Sequence, residues 1–318
     1  MHIGQDIQQA AQHLRNGGLV AIPTETVYGL AANALDPDAV IRIFEAKKRP
    51  LFNPLIVHAA SMEQLTAFAG PVPAPLKHLC EHFWPGPLTV LLPRKEAIHP
   101  IVTAGSPLVA VRIPAHPLTL NLLSAIPFPL AAPSANLFGT VSPTTAQHVA
   151  DQFGDTLDYI LDGGPCKVGI ESTIVKMGDD DKVWVLRPGG VPMEALADVL
   201  GYLPMRVRSA TETPEAPGML RSHYAPGIPL MLGNITELLP QYAEKKLALL
   251  SLNGSYSGSN IIEQVQLSAS GDLHMAARHL FGALRDLENC GADIILAEPV
   301  PDRGIGIAIN DRLQRASA

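Results

Sequence analysis

The chain has 318 residues, 47% of them hydrophobic and 17% charged, which is enough apolar mass for a packed core in each of two domains. A formal net charge of -7 excludes a protein that coats itself with nucleic acid, since that mode needs a surplus of cations, but it leaves room for a local basic pocket. Cys80, Cys166 and Cys290 lie far apart without metal-ligand spacing, so a reducing, cytoplasmic compartment is expected, with neither a zinc site nor a disulfide framework.

The N-terminal stretch has no basic region followed by an apolar core, and no run approaches the roughly 20 apolar residues that span a bilayer, so no membrane is expected. Asp6 to Leu14 has helical spacing, with Ile7, Ala10, Ala11 and Leu14 on one face, and Gly17-Gly18 ends it. Leu19 to Ile22 reads as a short buried strand that delivers Thr24, Glu25 and Thr26 into a turn. Asp36-Pro37 starts a helix with an expected inner face of Ala39, Ile41, Ile43 and Phe44. It stops at Lys47-Lys48-Arg49-Pro50, because proline disfavours helical geometry in the residue before it, and the cations therefore sit at a forced corner. Asn53-Pro54 leads into the strand Leu55 to Val57, which ends at His58. Ser61 caps the next helix, Leu76 to Phe83 is helical, and Trp84-Pro85-Gly86-Pro87 breaks it before the strand Leu88 to Leu92, the tryptophan serving as a packing anchor. Leu108 to Ile113 is a strand interrupted by Arg112, which must face water, a carboxylate or a bound anion, because a lone buried charge is costly.

Pro129 to Ala132 is another apolar run, followed by Ser134 and Asn136, which in an extended segment point the same way and share a ligand, or otherwise make an ordinary side-chain turn. Ser142-Pro143-Thr144 reads as a capped start to the helix Ala146 to Phe153, with amides free for a phosphate. After the strand Tyr159 to Leu161 come Asp162-Gly163-Gly164-Pro165 and Gly169-Ile170-Glu171-Ser172-Thr173, glycines near hydroxyls but neither a Walker loop nor a dinucleotide fingerprint. The strand Ile174 to Val175 follows, and Val183 to Leu186 ends in Arg187-Pro188-Gly189-Gly190. An apolar strand closing in proline, glycine and one or two polar residues recurs along the chain, and a polar cleft at strand ends accounts for all of these turns together.

Pro192 to Leu200 is helical, and Arg206 to Gly218 has the composition of a linker. Its continuation through Arg221, Ser222, His223 and Tyr224 to Gly227 reads either as a spacer or as a strap over the cleft. Ile228 to Leu232, Lys246 to Leu250 and Asp293 to Leu296 are strand-like, and Ala276 to Leu287 is an amphipathic helix, which together suggest a small three-layer α/β domain with a largely parallel sheet. Arg303-Gly304-Ile305-Gly306 is expected to be a structural turn ahead of a helix bearing Asn310 and Arg312.

With PTETVYGLAANA, AKKRPLFNPLIVH, WPGPLTVLLP, VAVRIPAHP, AAPSAN, GGPCKVGIESTIV, VLRPGG and APGMLRSHYAPG in one order, the chain resembles the two-domain branch of the YrdC-like family over nearly its whole length. The resemblance implies a YrdC-like catalytic domain over 1–204, a twisted mixed sheet flanked by helices. A linker or lid over 205–227 and a smaller Rossmann-like three-layer α/β domain over 228–318 would follow it. It implies a nucleotidyltransferase that joins ATP, L-threonine and bicarbonate into threonylcarbamoyl-adenylate and pyrophosphate. The product serves the tRNA threonylcarbamoyl-transferase machinery that modifies tRNA beside the anticodon. Lys47 and Arg49 match the family's Lys-x-Arg pair, and Ser134 and Asn136 its Ser-x-Asn partner; these four are the implied catalytic residues, cradling phosphates. A magnesium ion (Mg2+) would be held mainly by ATP itself, with no protein metal site. Thr26, His58, Arg112 and Ser172 are implied to hold threonine; Arg49, Asn53, Ala132, Ser134, Ser142, Arg187 and Tyr224 are implied to hold ATP. The alternative from another class is a non-catalytic module that binds double-stranded RNA or tRNA through the same basic cavity.

Overall fold

The structure is a computed structural model that describes residues 2–207, 215–220 and 222–318; residues 208–214 of the expected linker and Arg221 of the expected strap lie outside the described residues. Among the described residues the chain forms an 11-stranded sheet and a 4-stranded sheet, each with helices packed on it. In the large sheet the strands lie in the spatial order His2–Gly4, Tyr159–Leu161, Val20–Ile22, Gly29–Asn33, Leu130–Ala131, Ile56–His58, Leu108–Arg112, Leu88–Pro93, Thr173–Met177, Val183–Arg187, Met205–Arg206. It contains both parallel and antiparallel pairs, as expected for a mixed sheet. Its last strand runs past residue 204, the expected edge of the first domain, and pairs parallel with Val183–Arg187.

Period-two alternation decides what each face meets. Val57, Val90, Leu92, Val109 and Val111 turn toward the helices Pro37–Lys47 and Ala74–Phe83 and form the largest core. The residues between them, Ile56, Leu91 and Ala110, share the opposite face with Ile174 and Leu186, where Ala216 and Met219 of the linker cover them. At the strand ends this second face passes from apolar to polar: His58 lies two residues beyond Ile56, and Arg112 two beyond Ala110. Arg187 reaches the same face through an irregularity. A register shift between Val185 and Arg187 pairs Arg187 with Ile174, so its side chain joins the Ile174 face and not that of Val185.

The second domain builds a parallel sheet in the spatial order Leu230–Leu232, Ile294–Ala297, Leu247–Ser251, Ile261–Gln266. Ala248, Leu250, Ile295 and Ala297 pack against the helices Leu273–Glu288 and Gly306–Ala316, and Leu247, Leu249, Ile294 and Leu296 pack on the other side against Ile235 and Leu238. This is the expected three-layer arrangement. The first of these cores also takes in Val27, Val141, Ile170 and Tyr224, so apolar packing continues from one domain into the other.

Candidate active site

The strand ends of the large sheet surround a cavity. Arg49 enters from the corner after the helix Pro37–Lys47, whose start is capped by the Asp36 carboxylate on the amides of Asp38 and Ala39. Arg112 and His58 stand side by side on paired strands, and Arg187 arrives through the bulge. Thr26, Ser134 and Ser172 add hydroxyls, and Ala132 lies beside Ser134 in the wall. Pro217, Gly218, His223 and Tyr224 close the remaining side, so the strap of the sequence lies across the cleft. An isolated backbone bridge between Thr140 and Ala225 fastens it there.

The cations are held by neutral oxygens and, for Arg112, one carboxylate. Arg112 donates through Nε to the Gly86 carbonyl at 3.1 Å and through Nη1 to the Thr26 hydroxyl at 2.9 Å, and its Nη2 pairs with Glu25. The carboxylate is thus what Arg112 faces, one of the environments its burial in a strand demanded. Arg49 donates to the carbonyls of Asn53 and Pro54 at 3.2 and 2.8 Å; burial brings its pKa down to about 9, which leaves it a cation at neutral pH. Arg187 grips the Ser172 carbonyl through Nε and Nη2 and the Pro217 carbonyl through Nη1, tying the wall to the strap. Burial first, and Arg112 second, lower the His58 pKa to about 3, so its imidazole is neutral. Burial and the neighbouring Arg49 and Lys47 likewise hold His223 well below the usual imidazole range. Glu171 keeps a lowered pKa although burial raises it, because Arg312 and Arg187 outweigh the desolvation.

The remaining residues singled out from the sequence do not line the cavity but stand around it. Lys47 is buried and donates to the backbone carbonyls of Ser134, at 2.7 Å, and Asn136, so it ties the Ser134 turn to the end of its helix; burial, then Arg49, lower its pKa well below the usual lysine value. Asn136 donates to the carbonyls of Leu137 and Thr140 and leaves its buried Oδ1 without a partner among the described residues. Asn53 is fully buried, and neither of its amide atoms has a partner among the described residues. Ser142 does not cap the helix Ala146–Phe153. Thr145 does, and the Ser142 hydroxyl donates instead to Glu171 at 2.6 Å, a charge-assisted bond that a capping role cannot match. Trp84 anchors packing as expected, with its indole N–H on the Leu88 carbonyl.

Glu171 and Arg312 carry no site role in the sequence reading, yet the structure places Glu171 in the wall and Arg312 directly behind it. The signal for Arg312 is present in the chain: it lies on the inner stripe of its helix with Ala308, Ile309, Leu313 and Ala316, where a buried arginine needs a carboxylate. The partner is 141 residues away, and no local pattern names it. Among the described residues no cluster of histidine, cysteine or acidic side chains is arranged to hold a metal, and no helix is long and apolar enough to cross a membrane.

Residues 12–189 match the Sua5/YciO/YrdC family model, described as telomere recombination, and residues 191–318 match the model described as threonylcarbamoyl-AMP synthase, C-terminal domain. The chain is 43% identical to the threonylcarbamoyl-AMP synthase of Pyrococcus abyssi over 98% of its own length and 94% of the relative's. It is also 43% identical to that of Bacillus subtilis, over 98% and 92%. The crystal structure of P. abyssi Sua5 complexed with L-threonine superposes with a TM-score of 0.92 at 41% identity, covering 100% of this chain and 98% of that one.

Proposed function

The chain belongs to the threonylcarbamoyl-AMP synthase family in its two-domain form, a family of nucleotidyl-transferring enzymes. From that premise we propose that its cavity joins L-threonine, bicarbonate and ATP into threonylcarbamoyl-adenylate and pyrophosphate. The observation that carries this is the convergence of Arg49, Arg112 and Arg187, each buried, on one cavity roofed by the strap. Two anionic reactants must meet there, a carbamate and a triphosphate, and positive groups fixed before they arrive remove the repulsion without reorganisation. Cations held inside a chamber present no outer basic face to a nucleic-acid backbone, which argues against the RNA-binding alternative.

The threonine amine captures carbon dioxide from bicarbonate as a carbamate, whose oxygen attacks the α-phosphorus of ATP as pyrophosphate leaves. The protein needs no nucleophile of its own, and Cys80 and Cys166 are buried thiols whose pKa burial raises. Of its five N–H groups Arg112 commits three to protein oxygens and keeps one on each terminal nitrogen, the fork that clasps a carboxylate; we assign it the threonine carboxylate. The Thr26 and Ser172 hydroxyls and the neutral His58, with its Nδ1 unpartnered, fit the hydroxyl and amine of threonine. Arg49, Ser134 and Arg187 fit the phosphates, with the orphaned Asn53 amide, the Ala132 backbone and the Tyr224 ring on the nucleotide side. Lys47 and Ser142 act one layer back, Lys47 through the carbonyls it holds and Ser142 through Glu171.

The Ser134 hydroxyl in the wall is a neutral oxygen, as is the buried Asn136 Oδ1 that stands outside the lining, while Glu25 and Glu171 are each committed to an arginine. That set fits a magnesium ion that takes most of its ligands from ATP, and such an ion would neutralise phosphate charge when bound. The adenylate is a labile mixed anhydride, so its consumer is the tRNA-modifying threonylcarbamoyl-transferase, and the compartment of both is the cytoplasm. Pyrophosphate release decides the assignment: it is expected only when ATP, L-threonine and bicarbonate are all present. Equal release without threonine would overturn it.

A further inference from the structure

The helix Gly306–Ala316 is the last element of the second domain, yet its Arg312 is fully buried against the cavity of the first. Nε donates to Glu171 Oε2 at 2.9 Å, Nη2 to the Pro188 carbonyl at 3.0 Å and Nη1 to Asp311 at 2.6 Å, and the guanidinium lies 5.1 Å from the centre of the Tyr224 ring. The two carboxylates it touches are not equivalent. Asp311 also meets Arg315, at 3.1 Å, and Arg206, at 3.6 Å, whereas Arg312 is the one ion-pair partner of Glu171 among the described residues. Glu171 is also the one of the two that lines the cavity, and its other oxygen accepts the Ser142 hydroxyl. Without Arg312, Asp311 keeps two arginines in ion pairs, while Glu171 loses its ion-pair partner and retains only the field of Arg187 against its charge in the wall that receives a triphosphate.

We propose that Arg312 is a positioning residue for adenylate formation: supplied by the second domain, it neutralises and orients Glu171 so that the cavity stays cationic on the nucleotide side. This rests on the assignment of ATP to the cavity. It gives the second domain a part in the chemistry that follows from charge and not from covering the site alone. The contact with Tyr224 places the same guanidinium behind the strap, so the wall and the roof share one support.

The test measures threonine- and bicarbonate-dependent pyrophosphate release by the full chain, with ATP and threonine titrated separately. Failure of the unaltered chain to release pyrophosphate would overturn the assignment of ATP, whatever the variants do. In a competent chain, Arg312→Gln is expected to raise the KM for ATP at least about tenfold while the threonine KM stays within about threefold. The double variant Arg312→Gln with Glu171→Gln is expected to recover to within about threefold of Glu171→Gln alone, because the charge that Arg312 offsets is gone. An equal rise in both KM values, or a double variant as impaired as Arg312→Gln, overturns the proposal. Should Arg312→Gln not fold, the comparison of Glu171→Gln with the double variant reads the same coupling. A double variant that is itself unfolded by circular dichroism assigns Arg312 to stability alone and also overturns it.

Discussion

A guanidinium has five N–H donors, and the three that Arg112 gives to Gly86, Thr26 and Glu25 fix its plane before any ligand arrives. A lysine in its place keeps the charge and loses the fork, so Arg112→Lys is expected to raise the threonine KM about 10- to 100-fold with the ATP KM within about threefold. Initial rates of pyrophosphate release check this, and a parallel rise in both constants would count against the carboxylate role. His58, its neighbour on the paired strand, carries a consequence for stability. Its native pKa of about 3 lies below the ordinary 6.5, so between those values the unfolded chain binds the extra proton. Stability from this group is therefore complete above pH 6.5 and is lost as the pH falls toward 3. The loss is on the order of a few kcal/mol. His58→Gln is expected to flatten the fall in melting temperature between pH 7 and about 4 while His223 keeps part of it, and an unchanged slope would exclude His58 as a source.

At the scale of elements, the strap works because a glycine lets it pass. Gly218 has φ +82°, and a Cβ there would lie 2.9 Å from Arg187 Cδ and from the Tyr224 hydroxyl. Gly218→Ala must displace the phosphate-side arginine or the aromatic roof, so turnover is expected to fall at least about tenfold, with global stability reduced by only about 1–2 kcal/mol. Denaturant midpoints read beside rates would refute this if both fell in proportion. The elements themselves were mostly legible in the chain. Asp36-Pro37 and Lys47-Lys48-Arg49-Pro50 mark the limits of the helix Pro37–Lys47, and the corner holds Lys48 in the left-handed region at φ 51°. The short strands Gly29–Asn33 and Ile261–Gln266 carry no clear strand signal, the first because GLAAN has no polar alternation when both faces are buried, the second because IIEQVQ is half exposed at a sheet edge. The bulge that turns Arg187 into the cavity has no signature in VWVLR, since it is set by pairing with a neighbouring strand. Residue pairs such as Glu25 with Arg112 and Glu171 with Arg312 were illegible for the same reason: a charge in an apolar pattern announces that a partner exists, and only the fold says which.

For the whole molecule the question is whether two sheets make one cooperative body. Val27, Val141, Ile170 and Tyr224 share a core with Leu280 and Phe281. Arg278 donates to the Lys167 carbonyl, Arg285 to that of Val141, and the Gly304 amide to Glu194. Gly169, with φ +83°, lies so close to the backbone of Ala277 and Arg278 that a Cβ would overlap it. An interface with shared apolar packing, a buried ion pair and backbone at contact distance should not open before the domains unfold. Both tryptophans, Trp84 and Trp184, belong to the large sheet's domain, so their fluorescence reports that domain while far-ultraviolet circular dichroism reports both. The two signals are expected to trace one denaturation curve in the unaltered chain. In Gly169→Val the backbone of the helix Leu273–Glu288 must move away, at a cost on the order of 2–4 kcal/mol, and the circular dichroism is expected to fall ahead of the fluorescence. Two transitions in the unaltered chain would show that the domains are coupled only locally, through Arg312 and the strap. One transition that separates in Gly169→Val locates the coupling in the close approach itself, where a single missing side chain lets the second domain reach the wall of the first.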